Sequence, residues 1–289
     1  MKNNRVKFYT DETKDDFQKT KTSLSVTVDG NYDYLPNSFV FRFFSFIFYY
    51  FIAIPILSLV SLFVFPFHTK GRKNLRKLKK QGYFIYANHT HFKDSWMAPI
   101  SLVPFRKVYI VCNKDAIQIP VIDKLVKAAG GLPVADTIAG LKNMNQAIKQ
   151  VIEKNKVVMI YPEAHIWYFY TKIRPFPVTS FKFAAQSNVP AVPVAVCYKK
   201  KKLFGEKRKP KTVVYIGEPI YPKAELSEKE NAIYLRDQVF AYIQQTIEKE
   251  STYSYYQYIK TETVPTVEIA NKNKELAEQI EIQENKEAI

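Results

Sequence analysis

Residues 43–67 of this 289-residue chain form an uninterrupted apolar run without a charged side chain, so the fold must either place them in lipid or bury them. As one helix, a run of this length would cross a bilayer. Pro55 lies in its middle and Pro66 near its end, and proline removes a helical hydrogen bond. We therefore predict a hydrophobic membrane segment, either a kinked span or a re-entrant hairpin in one leaflet. A buried core helix is a third, less favoured interpretation, because nearly every face is apolar.

Basic residues exceed acidic ones by 43 to 27, giving a net charge of +16 that favours anionic partners. One basic cluster follows the apolar run, from Lys70 to Lys80, and another extends from Lys199 to Lys211. No zinc-finger, RNA-recognition or helix-turn-helix signature is present, so we expect an anionic membrane surface and no nucleic acid. The first cluster also predicts that this side of the segment faces the cytoplasm.

From Gly82 onward, strand-like and helix-like patterns alternate, which predicts an α/β layered fold with a largely parallel central sheet. The clearest elements are a buried strand over Tyr83–Ala87, another over Val157–Tyr161, and a helix over Ala139–Asn155 with apolar residues on one stripe. The chain divides by composition into a polar N-terminal arm (1–38), the membrane segment (39–68), an α/β domain (69–258) and a polar C-terminal tail (259–289).

His89 and Asp94 lie five positions apart on the loop that follows the Tyr83–Ala87 strand. Open α/β sheets place their ligands beyond the carboxyl ends of strands. A neutral imidazole can accept a proton from an alcohol, and a carboxylate beside it can fix its tautomer and stabilise the imidazolium. We therefore predict that His89 is a general base and Asp94 its partner. A helix N-cap is a second role open to Asp94.

A metal site is the competing interpretation of this loop. His89, His91 and Asp94 would be ligands, with His165 as a fourth. The His-x-His-x-Asp-His pattern of metallo-β-lactamase-type hydrolases is not matched, because Asp94 falls one position late and no histidine follows it. We predict neither a metal nor a cofactor.

A second candidate group follows the Val157–Tyr161 strand, which ends in Pro162 and Glu163. Glu163 would bind a hydroxyl-bearing acceptor or orient a basic residue; an exposed loop carboxylate is the alternative. Lys172 and Arg174 follow, and their side chains are suited to binding a phosphate. We predict that all three contribute to substrate binding.

Taken in this order, the motifs resemble those of the glycerolipid acyltransferase superfamily, the 1-acyl-glycerol-3-phosphate acyltransferases and their relatives, over about residues 82–220. Asn88-His89-x-x-x-x-Asp94 is similar to the family's catalytic block, and Tyr161-Pro162-Glu163 to the start of its acceptor-binding block. The strand at Val189–Val194 and the segment Gly217–Ile220 are weaker matches. A preceding membrane segment is usual in the family.

The resemblance implies a mechanism without an acyl-enzyme. His89 would deprotonate the acceptor hydroxyl, and the alkoxide would attack the carbonyl of the donor, which is acyl-ACP (an acyl carrier protein thioester), acyl-CoA or acyl phosphate. The acceptor would be a lysophospholipid such as 1-acyl-glycerol-3-phosphate, and the pathway phospholipid biosynthesis. Asn88 or backbone N–H groups would stabilise the oxyanion.

Two departures from the family pattern concern the acceptor. The acceptor-binding block usually continues Glu-Gly-Thr-Arg-Ser, whereas Ile166 stands here near the usual arginine, and Asp136 stands near a second one. We expect Lys172 and Arg174 to replace these cations; otherwise the acceptor lacks a phosphate there. A His- or metal-dependent lipid or thioester hydrolase, and a non-catalytic membrane-binding protein of the same fold, are the alternative functions.

Overall fold

The computed structural model describes residues 5–18, 26–103, 106–117, 120–200 and 210–262. Its central sheet has seven strands, in the order β2 (Phe67–Lys70), β8 (Lys211–Ile216), β7 (Ala191–Lys199), β3 (Tyr83–Ala87), β6 (Val157–Ile160), β4 (Val108–Cys112) and β5 (Gly131–Pro133). All neighbouring pairs are parallel except β7 with β8. The predicted α/β class with a largely parallel sheet is confirmed.

Helices cover both faces of this sheet. The α-helices of the described residues are α1 (Phe39–Ile47), α2 (Ile54–Phe63), α3 (Asp94–Met97), α4 (Pro120–Ala129), α5 (Ile138–Glu153), α6 (Lys182–Gln186) and α7 (Glu228–Glu250). Short 3₁₀ segments occupy Arg72–Leu78, Lys114–Ile117 and Val178–Phe181, and π-helical segments occupy Phe48–Ala53 and Ala98–Leu102.

The β3 strand shows how the core is divided between the two faces. Phe84 and Tyr86 pack into the cluster that contains α5 and α7, whereas Tyr83, Ile85 and Ala87 pack into the cluster on the opposite face. All five side chains are buried. Side chains alternate across a strand, so a strand buried on both faces is a continuous apolar run. The loop after β3 therefore starts from a rigid position in the middle of the sheet.

The apolar segment is one helical run from Phe39 to Phe63, and its most apolar 18-residue window has a mean hydropathy of 2.3. Ser38 Oγ caps it by accepting from the N–H of Phe41 at 3.1 Å. The π-helical segment ends at Ala53, two residues before Pro55, whose missing N–H breaks the regular ladder. The run contains no turn, which favours a single helix over the re-entrant hairpin. Only 11% of its most apolar 18-residue window is buried, so it is not a core helix.

One narrow face of this helix rests on the α/β domain. Ser45 Oγ donates to the carbonyl of Ala128 at 3.0 Å, and the Tyr49 hydroxyl accepts from the N–H of Val108 at 3.0 Å. Ser61, sixteen residues after Ser45, is also buried. At a rise of 1.5 Å per residue the supported length is about 24 Å. Large apolar side chains on the remaining surface are exposed, among them Phe43, Phe46, Phe51, Leu59 and Leu62.

The two ends of the described chain meet in a separate small sheet. Strand β1 (Val6–Tyr9) pairs in parallel with β9 (Gln257–Lys260). The predicted arm is therefore partly a strand, and β9 crosses the boundary that we predicted between residues 258 and 259. Residues 263–289 of the predicted tail lie outside the described residues, as do residues 201–209 of the second basic cluster.

Candidate active site

The loop after β3 brings His89 and Asp94 together at the carboxyl end of the strand. His89 Nδ1 lies 3.3 Å from Asp94 Oδ2. The Asp94 side chain is fully buried, whereas 14% of the His89 side chain is exposed. With Nδ1 directed at the carboxylate, Nε2 is the imidazole nitrogen that can meet a substrate hydroxyl.

Asp94 Oδ2 also organises the backbone of the loop. It accepts from the N–H groups of Thr90 at 2.6 Å and His91 at 2.7 Å. Both N–H groups lie before α3, whose first residue is Asp94 itself. The N-cap residue is Lys93, and no side chain caps the helix, so the N-cap role suggested for Asp94 is wrong. Asp94 Oδ1 has no hydrogen-bond partner among the described residues. One carboxylate oxygen thus holds both the loop and the imidazole.

Tyr161 forms a wall of the site that we did not predict as functional. Its ring stacks on the imidazole of His89 with 4.2 Å between centroids. Its hydroxyl donates to Met159 Sδ at 3.3 Å. Burial raises the pKa of Tyr161 well above its ordinary value, and the Asp94 carboxylate adds to the shift. Tyr161 is therefore an uncharged ring; its only sequence signal was its place before Pro162 and Glu163.

Asn88 does not face substrate, which corrects our prediction for this residue. Its side chain is fully buried, and its amide accepts from the N–H of Val196 at 2.8 Å and donates to the carbonyl of Val196 at 3.1 Å. Both functional groups of the amide are used to join the end of β3 to β7. This burial and these two bonds argue against a contact of Asn88 with the acceptor or the oxyanion, and backbone N–H groups are the other predicted donors to the oxyanion.

Glu163 is also buried, beneath the loop of His89. Its Oε2 accepts from the backbone N–H of His89 at 3.0 Å and from Arg174 Nη2 at 2.8 Å, while Oε1 accepts from the backbone N–H of Arg174 at 3.0 Å. The side chains of Glu163 and Arg174 are each 1% exposed. Of the two roles predicted for Glu163, orienting a basic residue is the one that fits; direct binding of an acceptor hydroxyl does not.

The two predicted phosphate-binding cations lie in different environments. Arg174 is enclosed, so our prediction that it contacts a substrate phosphate is contradicted by its burial. Lys172 is exposed, so the prediction that it binds the substrate phosphate is retained. The residues near the usual family arginines are not cationic: Ile166 is buried, and Asp136 pairs with Lys114 Nζ at 2.7 Å. That contact, with an N–H from Val28, lowers the pKa of Asp136.

The segment after Glu163 closes over the other side of the loop. The N–H of Trp167 donates to the carbonyl of His89 at 3.3 Å, and the N–H of Phe169 donates to that of Thr90 at 3.0 Å. Ala164 and Phe169 have φ angles of 62° and 57°, a left-handed conformation that costs side chains larger than glycine about 1–2 kcal/mol. Tertiary contacts must therefore hold this segment in place.

The N-terminal arm supplies part of that support. Trp167 Nε1 donates to the carbonyl of Asp15 at 2.7 Å, and the indole packs against Tyr9 and Phe17 of the arm and Tyr258 of β9. We predicted no role for the arm near the site. Its aromatic residues within a polar stretch were the available signal.

The histidines of the competing metal interpretation have other partners. His91 is buried, and its Nδ1 accepts from the N–H of Lys93 at 3.3 Å. His165 Nδ1 lies 3.4 Å from Asp16 Oδ2. In the part of the chain that the structure describes, no group of three His, Cys, Asp or Glu side chains is placed to hold a metal ion.

Comparison with known proteins supports an acyl-transfer function. The family model described as Acyltransferase matches residues 67–197, a segment that includes His89, Asp94 and Glu163. No curated protein sequence matches the chain. Among solved structures, the chain is similar to the 1-acyl-sn-glycerophosphate (LPA) acyltransferase, PlsC, from Thermotoga maritima, with 16% identity and a TM-score of 0.49 over 73% of this chain and 93% of that one. Residues 67–197 therefore match the acyltransferase family model, in agreement with the resemblance that the sequence motifs indicated.

Proposed function

We propose that this acyltransferase moves a fatty acyl group from an activated donor, acyl-ACP, acyl-CoA or acyl phosphate, to the hydroxyl of a lysophospholipid-type acceptor such as 1-acyl-glycerol-3-phosphate, in phospholipid biosynthesis. The observation that carries the proposal is the 3.3 Å contact between His89 Nδ1 and the buried Asp94 Oδ2, at an imidazole that remains partly open. A histidine held in this way is suited to act as a general base toward an alcohol.

In the reaction that we propose, Nε2 of His89 accepts the proton of the acceptor hydroxyl while the oxygen bonds to the carbonyl carbon of the donor. The tetrahedral intermediate collapses by breaking the C–S bond of a thioester or the C–O bond of an acyl phosphate. The imidazolium then protonates the leaving thiolate or phosphate, which restores neutral His89. Asp94 stabilises the imidazolium through Nδ1.

For the acceptor phosphate, we propose Lys172 as the cation from this segment. It is exposed and follows the loop that contacts the backbone of His89. An ammonium group binds phosphate as a compact charge without bidentate geometry. Arg174, its neighbour two residues on, is enclosed by protein and is not part of this assignment.

Membrane association is proposed from the helix over Phe39–Phe63 and the basic cluster after it. The domain supports the helix from Ser45 to Ser61, so a perpendicular span would draw the domain into hydrocarbon. We therefore propose that the helix lies within one leaflet, with its exposed apolar face in lipid. Exposed basic side chains follow at Arg72, Lys73, Arg76, Lys77, Lys79 and Lys80. They would contact anionic headgroups at the cytoplasmic face.

The test is acyl transfer by the full chain in detergent micelles, with each of the three donor classes offered against lysophosphatidic acid and uncharged lyso-acceptors. Products are identified by mass spectrometry. We expect the wild type to form acylated acceptor. His89→Ala should form at least about 10²-fold less of this product. His68→Ala is the matched control, because His68 is an exposed histidine on β2.

Two outcomes would overturn the proposal. Product that forms equally with His89→Ala would remove the general base and favour a non-catalytic protein of the same fold. Free fatty acid released without an acceptor, and abolished by a chelator, would favour a metal-dependent hydrolase.

A further inference from the structure

We infer that Arg174 is a positioning residue for the general base, acting on His89 through Glu163 and Trp167 without contacting the acceptor. The inference rests on the proposed function, because it assigns Arg174 a task in the same reaction. It departs from the phosphate-binding role that its charge suggests.

The first link between Arg174 and His89 passes through a carboxylate. Arg174 gives Glu163 two hydrogen bonds, one from its backbone N–H and one from Nη2. Glu163 Oε2 accepts the backbone N–H of His89 at 3.0 Å. The direction of this N–H fixes the peptide plane from which the His89 side chain leaves. Rotating the Glu163 carboxylate would therefore rotate the base.

The second link passes through the segment after Glu163. Arg174 Nη2 also donates to the carbonyl of His165, and its guanidinium lies 5.0 Å from the ring centre of Trp167. The N–H of Trp167 then donates to the carbonyl of His89. Both backbone polar groups of His89 are thus held by residues that Arg174 contacts directly. One guanidinium therefore holds the general base from two sides.

The burial of Arg174 indicates that this residue serves neither substrate binding nor the stability of the fold alone. Nε and Nη1 of Arg174 are enclosed and have no hydrogen-bond partner among the described residues. Leaving such donors unpaired in the interior destabilises a fold. Replacing a buried ion pair by apolar side chains is often neutral or stabilising, so stability alone does not explain this guanidinium. An enclosed guanidinium also cannot reach a phosphate unless the surrounding protein opens.

The test compares kcat with the acceptor KM in Arg174→Met and Arg174→Lys, using the transfer assay in micelles with the best donor and acceptor of the wild type. A misplaced base slows the chemical step and leaves acceptor binding intact. We expect kcat of Arg174→Met to fall about 10²-fold, with the acceptor KM within about threefold. Arg174→Lys should recover part of kcat, because an ammonium can pair with Glu163 but lacks the planar guanidinium that lies against the Trp167 ring.

A double-mutant cycle provides a readout that general loss of stability would not produce. If Arg174 acts through Glu163, the loss of kcat in Glu163→Gln/Arg174→Met should be no larger than in the worse single variant. Arg236→Met is the matched control, since Arg236 is a half-buried arginine on α7 that pairs with Asp237 and contacts neither Glu163 nor Trp167 in the described contacts, and it should leave kcat and KM unchanged. Thermal unfolding of each variant measures its folded fraction, and Arg174→Lys keeps the test open should Arg174→Met fail to fold.

The outcomes distinguish this inference from the proposed function. If the wild type is active and depends on His89, a tenfold rise in acceptor KM with unchanged kcat for Arg174→Met would overturn the positioning role alone. Additive losses in the cycle would also overturn it. If the wild type shows no transfer, or does not depend on His89, the proposed function fails first.

Discussion

The phenol ring of Tyr161 stacks on the imidazole of His89, with 4.2 Å between the ring centroids and 21° between the ring planes. The stack restricts tilting of the imidazole, while the contact of Nδ1 with Asp94 Oδ2 restricts its rotation. Because burial and the Asp94 carboxylate raise the pKa of Tyr161, the phenol stays protonated at neutral pH. Its contribution is therefore the shape of the ring and not the transfer of a proton.

Replacing Tyr161 separates the ring from the hydroxyl. We expect Tyr161→Phe to keep kcat within about twofold, because the stack remains and only a contact with Met159 Sδ is lost. Tyr161→Ala should lower kcat about tenfold, equivalent to about 1.4 kcal/mol of transition-state stabilisation. Steady-state kinetics of the two variants under saturating acceptor checks this. Equal losses in both variants would show that the hydroxyl itself acts in the reaction.

Asp94→Asn tests the charge of the carboxylate without removing its hydrogen-bonding shape. The amide oxygen can accept the N–H groups of Thr90 and His91, and the NH₂ group can occupy the place of Oδ1, which has no partner among the described residues. We therefore expect a folded variant whose thermal midpoint is lowered by several degrees, because the buried NH₂ group has no acceptor among the described residues. Its kcat should fall about 10²-fold or more, because a neutral amide does not stabilise the imidazolium.

Thermal unfolding and single-turnover acyl transfer measure the two sides of this prediction. An Asp94→Asn enzyme with near wild-type kcat would show that the carboxylate serves the loop backbone only. The hydrogen bonds that Asp94 accepts from the N–H groups of Thr90 and His91 would then be its whole contribution.

Local signals were sufficient for the parts of the fold that depend on neighbours in sequence. The continuous apolar run of β3 fixed a central strand, and the place of His89 and Asp94 just after it put both side chains at the carboxyl edge of the sheet. In the same way, the helical spacing of apolar residues in α5 predicted its buried face. These conclusions needed no knowledge of distant partners.

The burial of the other predicted site residues could not be predicted from the local sequence. Asn88 and Arg174 have side chains suited to substrate contacts, but their partners Val196 and Glu163 are set by the tertiary fold. Strand β1 pairs with β9 across about 250 residues of sequence, and no local pattern encodes such a pairing. The chemistry of a side chain was readable from sequence, whereas the direction in which it points was not.

Removing the Asn88 amide should affect stability and not acceptor choice. Asn88→Ala leaves the buried N–H and carbonyl of Val196 without their partner, and each unpaired group costs about 1–3 kcal/mol. We expect a loss of about 2 kcal/mol or more in the free energy of unfolding, measured by urea titration in micelles. The ratio of kcat/KM between phosphorylated and uncharged acceptors should stay unchanged.

Asn113→Ala is the matched control, because Asn113 is exposed and its side chain caps a local turn. It should change stability by no more than about 0.5 kcal/mol. A large shift in acceptor preference for Asn88→Ala would restore the substrate-binding role that its burial argues against.

Lys172→Ala tests the cation proposed for the acceptor phosphate. A hydrogen bond to a charged group contributes about 1.5–3 kcal/mol, so we expect acceptor KM for lysophosphatidic acid to rise about tenfold or more. KM for an uncharged lyso-acceptor should not change, because no phosphate is present to lose the contact. Lys149→Ala, at a lysine side chain that is 71% exposed on α5, is the control. An unchanged KM for the phosphorylated acceptor would remove Lys172 from the acceptor site.

The exposed face of the apolar helix should determine binding to lipid vesicles. Phe51 and Leu62 are each 65% exposed, and an aspartate at either position would place a charge in the hydrocarbon. We expect Phe51→Asp and Leu62→Asp to shift the protein from pelleted anionic vesicles to the supernatant in a sedimentation assay. Ile233→Asp is the matched control, because Ile233 is a 38% exposed apolar residue on α7, outside the helix. Equal binding by all three variants would mean that the helix face does not enter lipid, and that the basic cluster alone accounts for attachment.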